Sequence, residues 1–383
     1  MKVSVIGSGT MGMGIAQIAA SNDSKVCLYD SSAQATNIAK EKLNTILSRL
    51  TEKEKITKSR KKEILSNIQF SQDLNDIKGS NLVIEAIIED LKIKKEVFSE
   101  IEKIIDDNCI LATNTSSLSI ASVASSCLKA NRVIGIHFFN PAPIMPLVEI
   151  IPAVQTSSNT LKTARSIIDK WGKATVIVKD TPGFIVNRIA RPFYGEALRI
   201  YEEGIANFET IDWSLKEIGG FKMGPFELMD YIGNDINYTV TETVFTSFYF
   251  DQRYKPSFTQ KRMMEAGYLG RKSGQGFYNY TSETKKNINE NRQLGKIILW
   301  RILAMLINEA SDALFLNIAS REDIDLAMTK GVNYPNGLLK WADELGIENV
   351  LNQLNELYEE YGEDRYRPSP LLKRMVKSQA KFY

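Results

Sequence analysis

The chain has 383 residues, of which 43% are hydrophobic and 25% are charged, and its formal net charge is +2. This length exceeds what one ordinary hydrophobic core accommodates and predicts two or three domains. The nearly balanced charge argues against a general nucleic-acid-binding protein, which needs a clear basic excess to neutralise phosphates.

The three cysteines, Cys27, Cys109 and Cys127, are too few for a disulfide framework and lack the spacing of metal ligands. No apolar run approaches the length that spans a bilayer. The first residues, MKVSVIG, predict a strand and leave no room for a signal peptide. We therefore expect a cytoplasmic protein without a metal site.

The first predicted element is a strand that ends in a glycine-rich turn. MKVSVIG leads into Gly7, Ser8, Gly9, Thr10, Met11 and Gly12, and the alanine-rich helical segment GIAQIAAS follows. Gly7 permits a tight turn, Gly9 lets the backbone approach a pyrophosphate, and Gly12 lets the helix pack on the strand. The helix N-terminus offers N–H groups and a positive dipole to phosphates. The pattern predicts a dinucleotide-binding loop.

A second predicted strand, KVCLYD, ends at Asp30, eighteen residues after Gly12. This spacing is close to that of an acid that holds the ribose 2′-hydroxyl of a dinucleotide. The carboxylate would repel a 2′-phosphate, and Ser31 and Ser32 follow it where an arginine would favour NADP. The sequence therefore predicts NAD as the cofactor.

Alternating strands and helices continue after Asp30. Further buried strands are predicted in NLVIEAI (81–87), CILATNTSSLSI (109–120) and VIGIHFF (133–139). Residues 35–67 are predicted to form a charged helical hairpin that contains TEKEKITKSRKK. The simplest interpretation is a solvated helical surface; the alternative is that its lysines and arginines meet a phosphate-bearing substrate.

The only histidine of the sequence, His137, lies at the end of an apolar run in RVIGIHFFNPAPIMPLVEII. Histidine titrates near neutral pH and commonly moves protons in enzymes. Ligands bind at the carboxyl ends of parallel strands, where Glu89 and Ser116 are also predicted to lie. Glu149, twelve residues further along, is placed to fold back onto the imidazole and fix its tautomer. The alternatives are a structural histidine and a glutamate at a sheet edge.

Seven motifs, in order over residues 1–280, resemble those of the L-3-hydroxyacyl-CoA dehydrogenases. They are GSGTMG, AIIEDLKIK, NTSSLSI, IHFFNPAPIMPLVEII, KDTPGFIVNRI, MGPFELMDYIG and GRKSGQGFYNY. The resemblance implies an oxidoreductase that interconverts (S)-3-hydroxyacyl-CoA and 3-ketoacyl-CoA with NAD. It implies a short acyl chain, as in 3-hydroxybutyryl-CoA and acetoacetyl-CoA, within fatty-acid or butyrate-type metabolism.

The resemblance also implies roles for individual residues. It makes His137 and Glu149 the catalytic pair, and it makes Ser116 and Asn187 the residues that hydrogen-bond the substrate. The cofactor contacts that it implies are the loop residues Gly7, Gly9, Thr10, Met11 and Gly12, followed by Asp30, Glu89, Lys94, Ser116, Asn140 and Lys272. For coenzyme A it implies less, with Lys53 as the best candidate and Ile46 at the position where a serine is expected.

After residue 180 the predicted elements are helices. In KDTPGF, Thr181 is the predicted N-cap and Pro182 the first helical residue. EALRIYEEGIANFETID (196–212) recurs as EASDALFLNIASREDID (309–325), 113 residues later, and RYKPSFTQKRMM recurs as RYRPSPLLKRMV after 112 residues. A repeat of this length predicts a duplicated helical domain.

The predicted architecture is an α/β Rossmann-type domain followed by two all-α domains in tandem. We expect an NAD-binding domain with a helical hairpin insertion (1–180), a helical substrate and dimerisation-type domain (181–283), and a structural second copy (284–383). In the second copy Trp300 replaces Asn187, and no equivalent of GRKSGQGFY is expected. Single-repeat members of the family dimerise through this domain, as the resemblance implies, so we expect an internal pseudo-dimer and a monomer or weak homodimer.

Two alternatives stay open on the sequence. One is an NAD-dependent dehydrogenase of a 3-hydroxy acid or sugar acid without coenzyme A. The other, of a different class, is an inactive structural protein that binds NAD, although the four predicted site side chains argue against it. The expected partners are NAD and an acyl-CoA, with no nucleic acid and no membrane.

Overall fold

The computed structural model describes residues 1–282 and 287–383. The chain divides into two units, Met1–Thr181 and Pro182–Tyr383. The boundary predicted between the two helical copies, at 283/284, lies outside the described residues.

The first unit is built on one sheet. Within the described residues its strands are β1 (Lys2–Ile6), β2 (Lys25–Tyr29), β3 (Ile68–Ser71), β4 (Leu82–Glu85), β5 (Ile110–Thr113), β6 (Val133–Phe138), β7 (Leu147–Pro152) and β8 (Ala174–Ile177). Their spatial order is β3-β2-β1-β4-β5-β6-β7-β8. Neighbours pair in parallel except β6 and β7, which are antiparallel. The central strands β4, β5 and β6 are buried along their whole length, as expected for a parallel sheet covered on both faces.

Six α-helices accompany the sheet in the described part of this unit. They are α1 (Thr10–Ser21), α2 (Ala33–Glu52), α3 (Lys58–Ser66), α4 (Leu91–Glu102), α5 (Ile120–Ala124) and α6 (Ser158–Lys170). The predicted charged hairpin corresponds to α2 and α3, which bury Leu43, Leu47 and Ile64 and expose their charged residues. The strand predicted over 109–120 is too long, because the Ser119 side chain caps α5 by accepting from Ser122 N.

The second unit is helical. Its α-helices, within the described residues, are α7 (Val186–Ile189), α8 (Arg191–Glu202), α9 (Phe208–Trp213), α10 (Pro225–Ile232), α11 (Asn234–Ser247), α12 (Phe258–Glu265), α13 (Arg292–Phe315), α14 (Arg321–Gly331), α15 (Leu338–Leu345), α16 (Ile347–Tyr361) and α17 (Pro370–Ser378). The longest, α13, has 24 residues and is buried on most sides. Among the described helices, none combines the length and the apolar character that crossing a membrane requires.

The helix start predicted at Pro182 is wrong. Gly183 and Phe184 have φ angles of +71° and +47°, which lie in the left-handed region and cannot continue a right-handed helix. A Cβ on Gly183 would also lie 3.0 Å from the backbone nitrogen of Arg188, so a turn of this shape favours glycine. Helix α7 therefore begins at Val186.

Two buried aspartates in the first helical copy accept hydrogen bonds from the Phe-Tyr pair of GRKSGQGFYNY. The backbone nitrogens of Phe277 and Tyr278 donate to the carboxylate of Asp230 at 3.0 and 2.9 Å. The hydroxyl of Tyr278 donates to Asp212 at 2.8 Å. The pair thereby fastens this segment to helices α9 and α10.

The second copy has an equivalent of that Phe-Tyr pair, so the expectation that it has no equivalent of GRKSGQGFY is wrong for the last two residues of the motif. The backbone nitrogens of Phe382 and Tyr383 both donate to Asp343 at 2.9 Å. The hydroxyl of Tyr383 donates to Asp325 at 3.2 Å. The same four hydrogen-bonding positions thus recur in both copies, joined by the same atoms.

Candidate active site

The glycine loop lies between β1 and α1 and has the backbone geometry that the motif predicts. Gly7 has φ +98°, and a Cβ there would lie 2.7 Å from Ala86 O; a Cβ on Gly12 would lie 1.8 Å from Gly7 O. Apart from Gly9 and its two chain neighbours, no heavy atom of the described residues lies within 4 Å of a Cβ built on Gly9, so this side of the loop is open. Helix α1 starts without a side-chain cap, which leaves N–H groups of its first turn, at Thr10 and beyond, for an anion.

Asp30 stands beside this loop at the end of β2. Its Oδ2 accepts hydrogen bonds from Ser8 N and Ser8 Oγ, both at 2.8 Å. Its Oδ1 accepts from Ser32 N at 3.0 Å. The open loop, the uncapped helix and the fixed carboxylate fit the pyrophosphate and the adenosine ribose of NAD.

His137 and Glu149 are cross-strand partners in the antiparallel β6–β7 pair. His137 Nδ1 and Glu149 Oε2 are 2.6 Å apart, and the residues are 6% and 1% exposed. A carboxylate has only lone pairs to offer, so Nδ1 is the protonated nitrogen and the lone pair of the neutral ring is on Nε2. The alternative of Glu149 as an edge charge is wrong, since β7 lies between β6 and β8.

Glu89 and Ser116 meet where β4 and β5 end. Glu89 Oε1 accepts from Ser116 N at 3.1 Å and from Ser117 Oγ at 3.0 Å, and it also accepts from the Thr115 hydroxyl. Burial raises the pKa of Glu89, but Lys94 and the hydroxyl groups more than offset this and hold the pKa below its usual value. Within the described residues the Ser116 hydroxyl itself makes no hydrogen bond, so it is open to a ligand.

Glu85 was missed by the sequence interpretation. It is fully buried at the end of β4, where Lys94 Nζ lies 2.5 Å from Oε1 and Thr113 Oγ1 donates to Oε2 at 2.7 Å. Lys94 is 1% exposed and also lies 3.2 Å from Glu89 Oε2. The ammonium of Lys94 thus joins two acids inside the unit. The sequence offers one signal, the acid at the end of the apolar run LVIE, and this signal does not identify Lys94 as its partner.

The other predicted ligand residues of the first unit lie on its surface. Asn140 is exposed just after β6, and Lys53 is exposed at the C-terminal end of α2. Ile46 packs, partly buried, against the hydrophobic core. The structure therefore brings together the loop with Asp30, Glu89 with Ser116, and His137 with Glu149.

The remaining two predicted residues belong to the helical unit. Asn187 lies on α7, partly buried, and its side-chain amide makes no hydrogen bond within the described residues. Lys272 is exposed and pairs with Asp235 at 2.6 Å. Asn187 therefore presents an uncommitted amide, whereas the charge of Lys272 is already compensated.

A sheet that is parallel except at β6–β7, with an uncapped glycine loop and an acid after its second strand, is typical of a dinucleotide-binding fold, and the buried imidazole–carboxylate pair in the same unit is suited to proton transfer. The family model described as "3-hydroxyacyl-CoA dehydrogenase, NAD binding domain" matches residues 2–181. The model described as "3-hydroxyacyl-CoA dehydrogenase, C-terminal domain" matches residues 183–280 and 298–381. The chain belongs to the 3-hydroxyacyl-CoA dehydrogenase family.

Relatives confirm the resemblance carried by the motifs. A 3-hydroxyadipyl-CoA dehydrogenase of Escherichia coli (strain K12) is 36% identical over 97% of this chain and 96% of its own length. A 3-hydroxybutyryl-CoA dehydrogenase of Clostridioides difficile is 42% identical over 73% of this chain and 99% of its own. The crystal structure of 3-hydroxybutyryl-CoA dehydrogenase from Escherichia coli K12 superposes with a TM-score of 0.94 at 35% identity and covers 99% of both chains. The chain is an NAD-dependent oxidoreductase, and the predicted fold class is confirmed.

Proposed function

We propose that this enzyme interconverts (S)-3-hydroxyacyl-CoA and 3-ketoacyl-CoA, with His137 as the base that removes the C3 hydroxyl proton. The supporting observation is the buried 2.6 Å contact between His137 Nδ1 and Glu149 Oε2. Glu149 orients the ring so that Nε2 can accept the C3 hydroxyl proton, and its charge balances the imidazolium that forms. Bound NAD would supply the acceptor for the hydride at C3.

Ser116 and Asn187 are proposed to hold the substrate oxygens. Both carry a polar group that makes no hydrogen bond within the described residues, which leaves each ready for a ligand. Glu89 fixes the Ser116 backbone, and Lys94 fixes Glu89. We propose that Lys94 acts on the cofactor site through Glu89, because its own ammonium is buried.

The acyl group is proposed to be short. One relative is named for 3-hydroxybutyryl-CoA, and a relative that spans nearly the whole chain is named for 3-hydroxyadipyl-CoA, whose acyl group ends in a carboxylate. Lys53, exposed on the charged hairpin, is the proposed contact for coenzyme A. Asn140 and Lys272 are proposed as additional cofactor contacts.

We propose that the two helical copies form an internal pseudo-dimer. Arg188 of the first copy pairs with Glu309 of the second at 2.6 Å, and Arg301 of the second pairs with Glu196 of the first at 3.1 Å. These two pairs are related by the repeat offset of 113 residues. A two-fold interface produces this reciprocity, since residue i of one copy meets j of the other and j meets i. The family model for the C-terminal domain also matches twice.

A reducing compartment, the cytoplasm, is the proposed location. Cys27, Cys109 and Cys127 are free and buried. Burial raises the pKa of each thiol, to about 11 for Cys27 and Cys127 and to about 12 for Cys109, so they stay protonated. Such thiols fit a protein that relies on no disulfide.

The test of the base is the substitution His137→Gln, with Glu149→Gln beside it. We expect His137→Gln to leave NADH binding, measured by fluorescence, within about twofold, and to lower kcat for acetoacetyl-CoA by about 10²–10⁴-fold. Glu63→Gln serves as the control, because it makes the same change in an exposed ion pair with Arg60. Unchanged turnover in His137→Gln would remove the proposed mechanism.

The same assay separates the alternatives. Equal turnover of free acetoacetate and acetoacetyl-CoA would favour a dehydrogenase of acids without coenzyme A. NADH binding without any absorbance change on an acyl-CoA series would favour the inactive structural protein. We expect turnover of the thioester alone, measured as loss of NADH absorbance.

A further inference from the structure

The guanidinium of Arg191 is buried without an acid. Arg191 is 6% exposed at the start of α8. Its Nε donates to Asn187 O at 2.9 Å, its Nη1 donates to Thr241 Oγ1 at 3.0 Å and to Asn237 O at 3.5 Å, and it stacks on Tyr194. All of these partners are neutral. Burial lowers the pKa of Arg191, as expected for a cation without a counter-charge.

Arg191 differs in this from every other buried arginine of the described residues. The others each form an ion pair with a carboxylate: Arg132 with Glu102, Arg188 with Glu309, Arg301 with Glu196 and Arg365 with Glu363. This fold therefore compensates its buried guanidinium groups with acids as a rule. A buried cation left without a counter-charge is costly, which points to an anion that comes from outside the chain.

One nitrogen of Arg191 is uncommitted among the described residues. Its Nη2 makes no hydrogen bond within the described residues, and it is absent from the unpaired polar atoms that are closed off from solvent. The hydroxyl of Tyr334 is closed off from solvent and is not counted as part of the site. A guanidinium N–H is a donor that suits a carboxylate.

The position of Arg191 relative to Asn187 indicates which kind of anion would bind to it. The two residues are four apart, and the Nε–Asn187 O hydrogen bond sets the guanidinium directly beside Asn187. One helical turn rises about 5.4 Å. The terminal carboxylate of a six-carbon dicarboxylic acyl group is three carbons beyond C3, within a similar span. A substrate held by Asn187 near C3 would thus bring that carboxylate to Arg191.

We propose that Arg191 recognises a carboxylate at the far end of the acyl group, so that the enzyme prefers 3-hydroxydicarboxylyl-CoA thioesters of about six carbons to monocarboxylic ones. This inference rests on the proposed function, because it uses Asn187 as a substrate contact. Arginine suits the task, since its charged Nη2 can still donate N–H groups to a carboxylate.

The experiment compares 3-ketoadipyl-CoA with 3-ketohexanoyl-CoA, which has the same length and ends in a methyl group. We expect kcat/KM of the wild type to be at least about tenfold higher for 3-ketoadipyl-CoA. Arg191→Met should lose about 10–100-fold on 3-ketoadipyl-CoA and change less than about threefold on 3-ketohexanoyl-CoA. Arg191→Lys should retain part of the preference, and Arg165→Met, an exposed arginine of α6, should retain all of it.

Binding gives a second readout that needs no turnover. By calorimetry, adipyl-CoA should bind the wild type more tightly than hexanoyl-CoA, and Arg191→Met should abolish that difference. Equal kcat/KM for the two ketoacyl substrates in the wild type would overturn the inference. An equal loss on both substrates in Arg191→Met would also overturn it, since this would place Arg191 on the fold or on coenzyme A.

Failure of the proposed function has a different signature. If the wild type oxidises NADH with neither substrate nor with acetoacetyl-CoA, the dehydrogenase activity itself is wrong. The comparison of adipyl-CoA with hexanoyl-CoA binding still decides the role of Arg191 in that case. Turnover of 3-ketohexanoyl-CoA without a dicarboxylate preference keeps the function and rejects the inference.

Discussion

At Asp30 a single carboxylate holds the glycine loop, and we propose that it also selects NAD over NADP. It accepts two hydrogen bonds from Ser8 in the glycine loop and one from Ser32 at the start of α2. These bonds fix the charge next to the loop rather than leave it free to swing away. A 2′-phosphate brought to the same place would meet that charge at close range.

We expect Asp30→Asn to shift cofactor preference towards NADPH. The amide keeps the size and some of the hydrogen bonds while removing the charge, so the ratio of kcat/KM for NADPH to that for NADH should rise about tenfold. Asp23→Asn, an exposed aspartate paired with Arg60, is the matched control and should leave the ratio unchanged. A ratio that stays the same in Asp30→Asn would mean that the ribose is held elsewhere.

At the residue scale, the sequence predicts those site residues whose positions follow from the ends of strands and from their spacing along the chain. The contact of His137 with Glu149 was foreseeable because a turn with several prolines separates two strands twelve residues apart in register. Glu85 was not foreseeable as part of the site, because its partner Lys94 comes from the following helix and only the fold sets their distance. The roles of these residues stay predictions.

At the scale of the elements, the two Phe-Tyr pairs make equivalent contacts although the sequence repeat does not align them. Tyr278 and Tyr383 donate equivalent hydrogen bonds, yet they are 105 residues apart rather than 113. The shorter spacing breaks the repeat register, so comparison at a fixed offset misses the second pair. The helix start at Pro182 failed for another reason, because the left-handed backbone at Phe184 follows from its surroundings and not from a local motif.

We expect Tyr278→Phe and Tyr383→Phe to destabilise the helical unit to a similar extent. Each removes one hydroxyl donor from a buried aspartate, Asp212 or Asp325, which costs about 1–2 kcal/mol. The melting temperature should fall by about 2–4 °C per kcal/mol in a unit of this size. Tyr358→Phe, at a half-exposed position of α16, is the control. Loss in only one of the two variants would contradict the equivalence of the two pairs.

The loss in Tyr278→Phe should also depend on pH. Burial raises the pKa of Asp212 to about 7 despite its hydrogen bonds. Because the folded pKa is above the unfolded one, the contribution of Asp212 to stability is full at low pH and is lost as pH rises through about 7. At pH 8 the ionised Asp212 depends more on the Tyr278 hydroxyl, so the variant should lose more stability at pH 8 than at pH 5 by thermal unfolding.

At the scale of the whole molecule, two buried ion networks, around Glu309 and around Glu196, join the two copies of the helical unit. Glu309 accepts from Arg188 at 2.6 Å and from the Tyr254 hydroxyl at 2.5 Å. Glu196 correspondingly accepts from Arg301 at 3.1 Å and from the Tyr366 hydroxyl at 2.9 Å. The sequence repeat predicts two copies, and the structure adds that each copy supplies an acid for the other's arginine. Such reciprocity specifies register more than it adds stability.

If the two copies pair with each other within one chain, the surface that carries these arginine–glutamate pairs is already covered and cannot bind a second chain. We expect sedimentation equilibrium at micromolar concentration to give the mass of one chain. Glu309→Gln and Glu196→Gln should each destabilise the helical unit by about 1.5–3 kcal/mol, because each removes one charged acceptor of a buried arginine, which keeps its second acid, Asp312 or Glu203. Neither should change the mass, and Glu348→Gln, exposed on α16, should change neither property. A mass of two chains would show that the interface joins molecules, and a harmless Glu309→Gln would show that the reciprocal pairs do not hold the copies together.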